Sequence, residues 1–347
     1  MPGGCLPYQA GYIDEELSLY IKSFDIRIGT LEAAIGTGYE FDPVKMAGRQ
    51  NIIYARDEDF KRIKELGFNV ISLANNHIMD LGESGLINTI NHLKESGILF
   101  CGAGINEDEA SAPAVIEKAG VRIAIFAYCV SGSPWLGYVK AAGRSEPGVN
   151  ILVLDKVLND IRRARSLYDR VIVMPHWGKE YTFSPLKESV IMAKQMIDAG
   201  ADAVIGSHTH QIQPQLRYKG KPVFFSLGNF LFPDFYMYPP RPIWYPDDAS
   251  TLSEIEDVVG YPFPIDKPLR QVWNQVSRYG LVVEFEFGAQ ERVTKRYVHL
   301  SNNNQLSFSR IPLGIRISLL ESWLDLGKPI HKFYARAIRK IRRMLKL

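Results

Sequence analysis

The chain has 347 residues, 46% of them apolar, which is enough to bury a sizeable core and excludes a disordered protein. Its net charge is only +3, and because residues 328–347 hold eight Lys or Arg and no acid, the remainder is mildly acidic, so we expect no nucleic-acid partner. There is no long uncharged apolar stretch, no signal-peptide pattern and no paired-cysteine spacing among Cys5, Cys101 and Cys129, which favours a cytoplasmic protein with free thiols.

Short apolar strands alternate with amphipathic helices over the first two thirds of the sequence. This alternation predicts a layered α/β domain. In chain order we predict a strand over 25–31, a helix over 57–66 that ends at Gly67, a strand over 69–74, a helix over 82–96, a strand over 121–129, a helix around 155–167, a strand over 170–174, a helix around 185–199 and a strand over 202–205.

The pattern changes after Pro222. A strand is predicted over 223–227, and two alternating segments, 280–287 and 292–300, suit the arms of a hairpin. Residues 231–279 between them are crowded with proline and aromatic residues, which indicates an ordered insertion outside the core. This insertion is either a lid facing a substrate or a surface loop packed on itself, and both alternatives stay open.

Polar residues follow the predicted strands at the point where each strand ends. Glu32, the Asn76-His77 pair, His176 and the His208-Thr209-His210 segment all occupy such positions. Loops that leave the carboxyl ends of strands in an α/β sheet meet at one edge, where ligands bind. We therefore expect these four segments to converge.

The convergent residues form a nitrogen and oxygen ligand set. Imidazole, carboxylate and carboxamide groups suit Zn, Mn or Fe rather than a thiolate-bound metal, and two metal ions are expected. Such a pair would make hydroxide available near neutral pH, with His77 as proton donor or stabiliser of the transition state. We assign no role to the remaining histidines, which do not follow strand ends: His92, His299 and His331.

Four motifs, in this order and spacing, resemble the CapA-type proteins of poly-gamma-glutamate capsule synthesis over about residues 20–232. They are Leu73-Ala74-Asn75-Asn76-His77 with Asp80 and Gly82, 175–181 (Pro-His-Trp-Gly-Lys-Glu-Tyr), 200–210 (ending in His208-Thr209-His210) and 226–230 (Ser-Leu-Gly-Asn-Phe).

The resemblance implies a fold similar to the calcineurin-like metallophosphatases, a sandwich of two β-sheets flanked by helices. It also implies roles by position, with Glu32 as a metal-bridging carboxylate and His77 as the catalytic imidazole. The other implied ligands are Asn76, His176, His208 and His210. Glu180 is expected to act as an acid or base or to orient a ligand, and Asn229 to support the site from behind the ligands.

Two features depart from the family pattern. Its members usually open with a strand that ends in Gly-Asp, and this strand and its metal-binding Asp are missing before Pro2-Gly3-Gly4, which predicts a misassigned start or a natural loss of one metal position. Thr30 stands where the family favours Asn, so we expect a different polar contact near Glu32.

We place the metallophosphatase-like domain at residues 1–310 and a basic helical tail at 311–347. Residues 328–347 combine an apolar stripe with cationic faces, a pattern typical of a helix on an anionic membrane surface, of one that binds a partner or acidic polymer, or of a terminal helix docked on its own domain.

We expect a metal-dependent hydrolase or transferase that activates water for attack on a phosphoester or a polymer amide of an anionic substrate. Two alternatives remain: a non-catalytic accessory protein of capsule polymer synthesis with a degenerate metal site, and a general metallophosphatase unrelated to capsule.

Overall fold

The computed structural model of the chain describes residues 12–47, 51–238, 243–244, 255–259, 267–287 and 292–309. Two parts of the chain lie outside these ranges: the N-terminal segment that holds Cys5, and the predicted tail, which includes His331. The helices are α1 (Glu15–Lys22), α2 (Pro43–Ala47), α3 (Phe60–Glu65), α4 (Gly82–Glu95), α5 (Glu107–Ser111), α6 (Leu154–Arg165) and α7 (Lys187–Ala199), with a 3-10 turn over Asp57–Asp59.

Most strands are short and apolar, as expected where a sheet is covered on both faces. They are β1 (Ile28–Thr30), β2 (Ala34–Ile35), β3 (Tyr54–Ala55), β4 (Val70–Ser72), β5 (Leu99–Cys101), β6 (Ala103–Gly104), β7 (Ala114–Lys118), β8 (Val121–Cys129), β9 (Gly148–Val149), β10 (Arg170–His176), β11 (Ala203–Ile205), β12 (Gln215–Tyr218), β13 (Lys221–Phe224), β14 (Phe235–Met237), β15 (Ile243–Trp244), β16 (Glu256–Val259), β17 (Leu269–Val272), β18 (Tyr279–Glu286), β19 (Arg292–Leu300) and β20 (Leu306–Phe308).

The largest sheet has six strands in the order β12-β13-β11-β10-β8-β7. Its four inner strands are parallel, while the outer strands β12 and β7 are antiparallel to their neighbours. The carboxyl ends of β8, β10, β11 and β13 consequently lie at one edge, where connecting loops can form a site.

A second, parallel sheet of order β1-β4-β5 packs on the first. Val70 and Ile71 of β4 share one core cluster with Ile125 of β8 and Ile172 of β10. The opposite face of the large sheet is covered by the apolar stripes of α6 and α7. The predicted layered α/β fold, with two sheets and flanking helices, is confirmed.

The predicted hairpin near the end of the domain is confirmed, since β18 and β19 pair antiparallel and β20 extends their sheet. The expectation that 231–279 stands outside the core is wrong. Its described parts form the sheet β15-β14-β17-β16, and Phe232, Phe235 and Trp273 are buried in a third core with Leu300 and Leu306. Phe232, Phe235 and Trp273 are core residues because they pack between this sheet and the C-terminal strands.

Two strand boundaries differ from the prediction in ways that affect the site. The first strand begins at Ile28 rather than residue 25, because the backbone N–H of Arg27 donates to the Asn69 side chain at 2.7 Å. Strand β10 runs two residues further than predicted, since its parallel pairing with β8 continues to the pair His176 and Cys129. His176 is thus the last residue of its strand rather than a residue after it. Among the described residues, no helix is long and apolar enough to cross a membrane.

Candidate metal centre

The edges of the two sheets meet where the predicted site residues lie. Glu32 follows β1 and Asn76 follows β4 of the small sheet, whereas His176 ends β10 and His208 follows β11 of the large sheet. A bridge between His176 and Ser207 continues the β10–β11 pairing into the loops. The predicted convergence of four separate segments is therefore what the fold produces.

Three side chains form a compact, buried donor cluster. The ligand atoms of Glu32, His176 and His208 all lie within 4.8 Å of one another. Glu32 Oε1 lies 3.5 Å from His176 Nε2, and the Asn76 Oδ1 atom lies 2.8 Å from the same ring nitrogen. One carboxylate, two imidazoles and one carboxamide therefore lie close enough together to bind a single metal ion.

His210 extends the cluster on the other side of Glu32. Its Nε2 atom lies 3.8 Å from Glu32 Oε1 and 4.0 Å from Glu180 Oε1. One oxygen of Glu32 thus lies within 3.8 Å of a ring nitrogen of both His176 and His210, as expected for a carboxylate shared by two metal positions. Glu180, with 30% of its side chain exposed, lines the open side of the cluster.

The unpaired polar atoms of the cluster fit a metal ion. Glu32 Oε1 and both ring nitrogens of His208 are buried and make no hydrogen bond of good geometry within the described residues. Each such atom costs about 1–3 kcal/mol when it has no partner, so an arrangement that buries three together calls for a ligand. The donor set, of nitrogen and oxygen without thiolate, suits Zn, Mn or Fe.

Hydrogen bonds at Nδ1 orient two of the imidazole rings. His176 Nδ1 lies 2.9 Å from Ser207 Oγ, and His210 Nδ1 lies 2.9 Å from Asn229 Oδ1. Asn229 is itself fixed, since its Nδ2 donates to the Ser277 carbonyl at 2.9 Å. Both rings therefore present Nε2 to the cluster. In metal-binding histidines, a hydrogen bond at the second ring nitrogen commonly fixes the ring in this way. Asn229 lies where the sequence predicted a supporting residue; Ser207 and Ser277 were not foreseen.

The loop that carries the two histidines is held in an unfavourable conformation. His208 has φ 92° and His210 has φ 52°, a region that residues with a Cβ atom rarely occupy. Such residues cost about 1–3 kcal/mol each and persist where the surroundings fix them, which is common at functional sites. The strain is thus a second sign that this loop is shaped for a ligand.

His77 belongs to a buried network that includes Lys45, a residue that the sequence did not predict at the site. His77 Nδ1 lies 2.7 Å from Asp80 Oδ2, and the backbone N–H of Ile53 donates to the same oxygen at 2.6 Å. The Lys45 ammonium pairs with Asp80 Oδ1 and donates to the Asn76 carbonyl. This network leaves Nε2 of His77 as its remaining ring nitrogen. Asp80 belongs to a motif we noted, but Lys45 gave no sequence signal.

Burial sets the protonation states of the cluster. It raises the pKa of Glu32 to about 8, with the nearby Glu180 adding to the effect, and raises the pKa of Glu180 to about 7. Burial, followed by the charge of His210, lowers the pKa of His208 to about 3, while a weak backbone contact from Trp135 opposes it. His210 falls to a pKa of about 4, and the pKa of His176 lies well below its usual value, mainly through burial. The imidazoles are neutral at pH 7, the state that binds metals.

Comparison with known proteins places these residues in a family. The family model of the bacterial capsule synthesis protein PGA_cap matches residues 5–234, which include every candidate ligand. The Capsule biosynthesis protein CapA of Bacillus anthracis is 32% identical over 240 residues, covering 65% of this chain and 54% of the relative. A protein of Mycobacterium tuberculosis named "Probable polyglutamine synthesis accessory protein" is 30% identical over 213 residues, covering 59% and 55%.

Among solved structures, a Staphylococcus aureus protein described as a 5′-nucleotidase in complex with alpha-ketoglutarate aligns with a TM-score of 0.42 and 11% identity, covering 91% of this chain and 53% of that chain. That overlap is too low to assign a fold. The chain spans about half the length of the curated relatives it matches. Since the family model covers well over half of the chain, the protein belongs to the bacterial capsule synthesis protein family PGA_cap.

Proposed function

We propose that this chain is a metal-dependent hydrolase-fold protein of capsule or poly-gamma-glutamate synthesis, which activates water for attack on a phosphoester or a polymer amide. The observation that carries the proposal is the buried cluster of Glu32, His176 and His208, in which Glu32 Oε1 and both ring nitrogens of His208 make no hydrogen bond within the described residues. Family membership and the names of the relatives, which refer to capsule and polyglutamine synthesis, support the assignment to polymer synthesis.

The donor set would hold the metal in two adjoining positions that share Glu32. Bound there, divalent ions such as Mn, Fe or Zn would supply Lewis acidity, making hydroxide available near neutral pH and offsetting charge on substrate oxygens. Glu32 would be the ligand common to both positions, because its Oε1 lies within 3.8 Å of Nε2 of both His176 and His210. The remaining ligands would be Asn76, His176, His208 and His210.

His77 would handle the proton of the leaving group. Its Nδ1 is engaged by Asp80, so its Nε2 is the atom that would donate to a departing oxygen or nitrogen. The Asp80 carboxylate would stabilise the charged ring and keep it in one orientation, the role that a buried carboxylate has beside a catalytic histidine. Lys45, paired with the other oxygen of Asp80, keeps that carboxylate in place.

Glu180 would serve as a second proton carrier at the open side of the site. Its carboxyl lies 4.0 Å from His210 Nε2 and has a pKa of about 7, so both of its protonation states are populated near neutral pH. A general base works best when its pKa lies near the working pH.

Elemental analysis tests the metal centre directly. Wild-type protein equilibrated with Mn²⁺ or Zn²⁺ and then desalted should retain two ions per chain if both positions fill, as in two-metal hydrolase sites, or one if the position that lacks its Asp is lost. A His208→Ala/His210→Ala variant should lose them, because it removes both ligands of the β11 loop. His92→Ala is the matched control, since His92 pairs with Asp57 away from the cluster. Wild-type protein without bound metal would overturn the proposal.

A non-catalytic accessory role is the second candidate, favoured by the name of the Mycobacterium tuberculosis relative, which calls that protein an accessory protein. Assays on a phosphoester and on a gamma-glutamyl amide separate the two roles. Turnover of either substrate that His77→Gln abolishes, with metal content unchanged, would support the hydrolase. Full metal content with no turnover of either substrate would instead support an accessory protein that binds metal without catalysis. The membrane contact predicted for residues 328–347 stays a prediction, because these residues lie outside the described ranges.

A further inference from the structure

A lysine and a tryptophan meet at the rim of the candidate metal centre, outside the ligand set. The Lys179 ammonium lies 4.0 Å from the centre of the Trp135 ring, within the range of a cation–π contact. The two residues belong to the loops that follow β10 and β8. Lys179 directly precedes Glu180, whose Oε1 atom lies 4.0 Å from His210 Nε2 of the cluster. The pair therefore sits beside the cluster.

Both loops are anchored, so the pair has a defined position. The loop after β8 is tied to the site by the bond from the Val130 N–H to the His176 carbonyl at 3.0 Å. It turns back on itself through Ser131 and Val139 and buries Leu136 beneath it, while Trp135 remains 43% exposed. The loop after β10 is tied to the histidine loop, since the Tyr181 N–H donates to the Thr209 carbonyl at 2.9 Å.

The charge of Lys179 is not used within the described protein. No Asp or Glu carboxylate of the described residues lies within 4.0 Å of its ammonium, in contrast to Lys45, which is paired with Asp80. A lysine at the rim of the centre is therefore placed to attract an anionic substrate and to pair with one of its carboxylates.

The apolar surface next to Lys179 indicates what kind of anion fits. Trp135 and Tyr138, 43% and 59% exposed, stand on the same ordered turn. A chain that alternates methylene groups with carboxylates would contact the aromatic rings with the first and Lys179 with the second. A free phosphate ion would use the lysine alone.

We propose that Lys179, seated on Trp135, forms a subsite that binds a carboxylate of an acidic peptide polymer next to the metal centre. The role of this subsite in catalysis rests on the proposed function, but the binding of an acidic oligomer to it can be measured without metal. It makes the two loops a specificity element that favours polymer over a small phosphoester.

The test measures the Kd of a gamma-linked glutamate oligomer by calorimetry in the presence of a chelator, for wild type, Lys179→Met, Lys179→Arg and Trp135→Leu. Loss of the ammonium or of the ring should weaken binding about three- to fivefold, as expected for a partly exposed ionic contact, and Lys179→Arg should retain it. The matched control is Lys194→Met. Lys194 lies 5.4 Å from the Tyr218 ring in a similar cation–π contact, and Tyr218 pairs with the first residue of β13 at the opposite edge of the sheet.

The outcomes separate the subsite from the proposed function. An unchanged Kd in Lys179→Met, or an equal loss in Lys194→Met, overturns the subsite whatever the metal content. Inorganic phosphate that binds as tightly as the oligomer and is insensitive to Trp135→Leu overturns the assignment to a polymer. Wild-type protein that binds the oligomer in the expected way but retains no metal supports the subsite and overturns only the hydrolase proposal.

Discussion

Asp80 connects more parts of the candidate site than its place in the sequence indicates. Its fully buried carboxylate contacts the ring of His77, the backbone of Ile53 and the ammonium of Lys45. The motif containing His77 could be found from the sequence because it follows a strand directly. Lys45 could not, because it lies 35 positions away in a five-residue helix whose contacts are tertiary and leave no local pattern.

We predict that Asp80→Asn lowers the free energy of unfolding by about 3–5 kcal/mol, because it leaves the buried Lys45 ammonium without a counter-charge. Denaturant unfolding monitored by circular dichroism measures the loss. The double variant Lys45→Met/Asp80→Asn is the control, since it removes the buried cation together with its partner. It should be more stable than the single variant. If the double variant were less stable than Asp80→Asn, the losses of unfolding free energy would simply add, and this result would contradict the pairing of Lys45 with Asp80.

At the scale of elements, the loop after β11 depends on a close backbone approach. The Gly206 N–H donates to the Phe224 carbonyl at 2.7 Å, and a Cβ atom on Gly206 would overlap the Phe225 carbonyl and lie 2.5 Å from Trp177 Nε1. The loop that carries His208 and His210, both at positive φ, therefore starts from a tight junction. Only glycine fits at this junction.

Gly206→Ala should lower the free energy of unfolding by about 1–3 kcal/mol, the usual cost of forcing a methyl group into a packed interior. It should also abolish metal retention, because the loop that carries His208 must move. Thermal unfolding and elemental analysis measure the two effects. Gly143→Ala is the matched control, because its added Cβ would meet only the side chain of Glu146, at 3.3 Å from its Cβ atom, and not a backbone carbonyl. A Gly206→Ala protein with wild-type metal content would show that the junction does not position the loop.

The positions of helices and strands were predictable where the pattern of apolar residues is strong. They were less predictable where pairing with another strand sets the boundary. Strand 121–129 was predicted with its observed bounds, since its apolar residues form a continuous buried run. The end of β10 was not, because the continued ladder to His176 depends on a partner strand. The aromatic segment 231–279 was misjudged for a related reason: composition does not reveal which residues a distant C-terminal sheet will cover.

At the scale of the whole molecule, the site lies between two sheets and its burial makes folding sensitive to pH. Glu32 has a pKa of about 8 in the folded protein against 4.5 for an exposed carboxyl. As pH rises between these values, the unfolded chain loses the proton while the folded one keeps it. Stability contributed by the protonated carboxyl is therefore full below pH 4.5 and is lost as pH approaches 8.

Without metal, Glu32→Gln should consequently raise the free energy of unfolding at pH 8 by about 2–4 kcal/mol, because it removes the cost of ionising a buried carboxyl. Near pH 4.5 the two proteins should be about equally stable, and the buried histidines affect both alike. Chelator-treated samples unfolded in urea across this range supply the measurement. A variant less stable than wild type at pH 8 would refute the assignment of Glu32 as a protonated buried group.

The bond from Asn229 to Ser277 has a consequence for how the protein is made. It fixes the ring of His210 through Asn229, and Gly228 bridges to Gly280 beside it, so the support of an early ligand comes from a late part of the chain. On the ribosome, the segment from Glu32 to His210 emerges first and must wait for the strand that begins at Tyr279. A nascent chain stalled before Ser277 would carry all five candidate ligands without the backbone carbonyl that fixes Asn229 and, through it, the ring of His210.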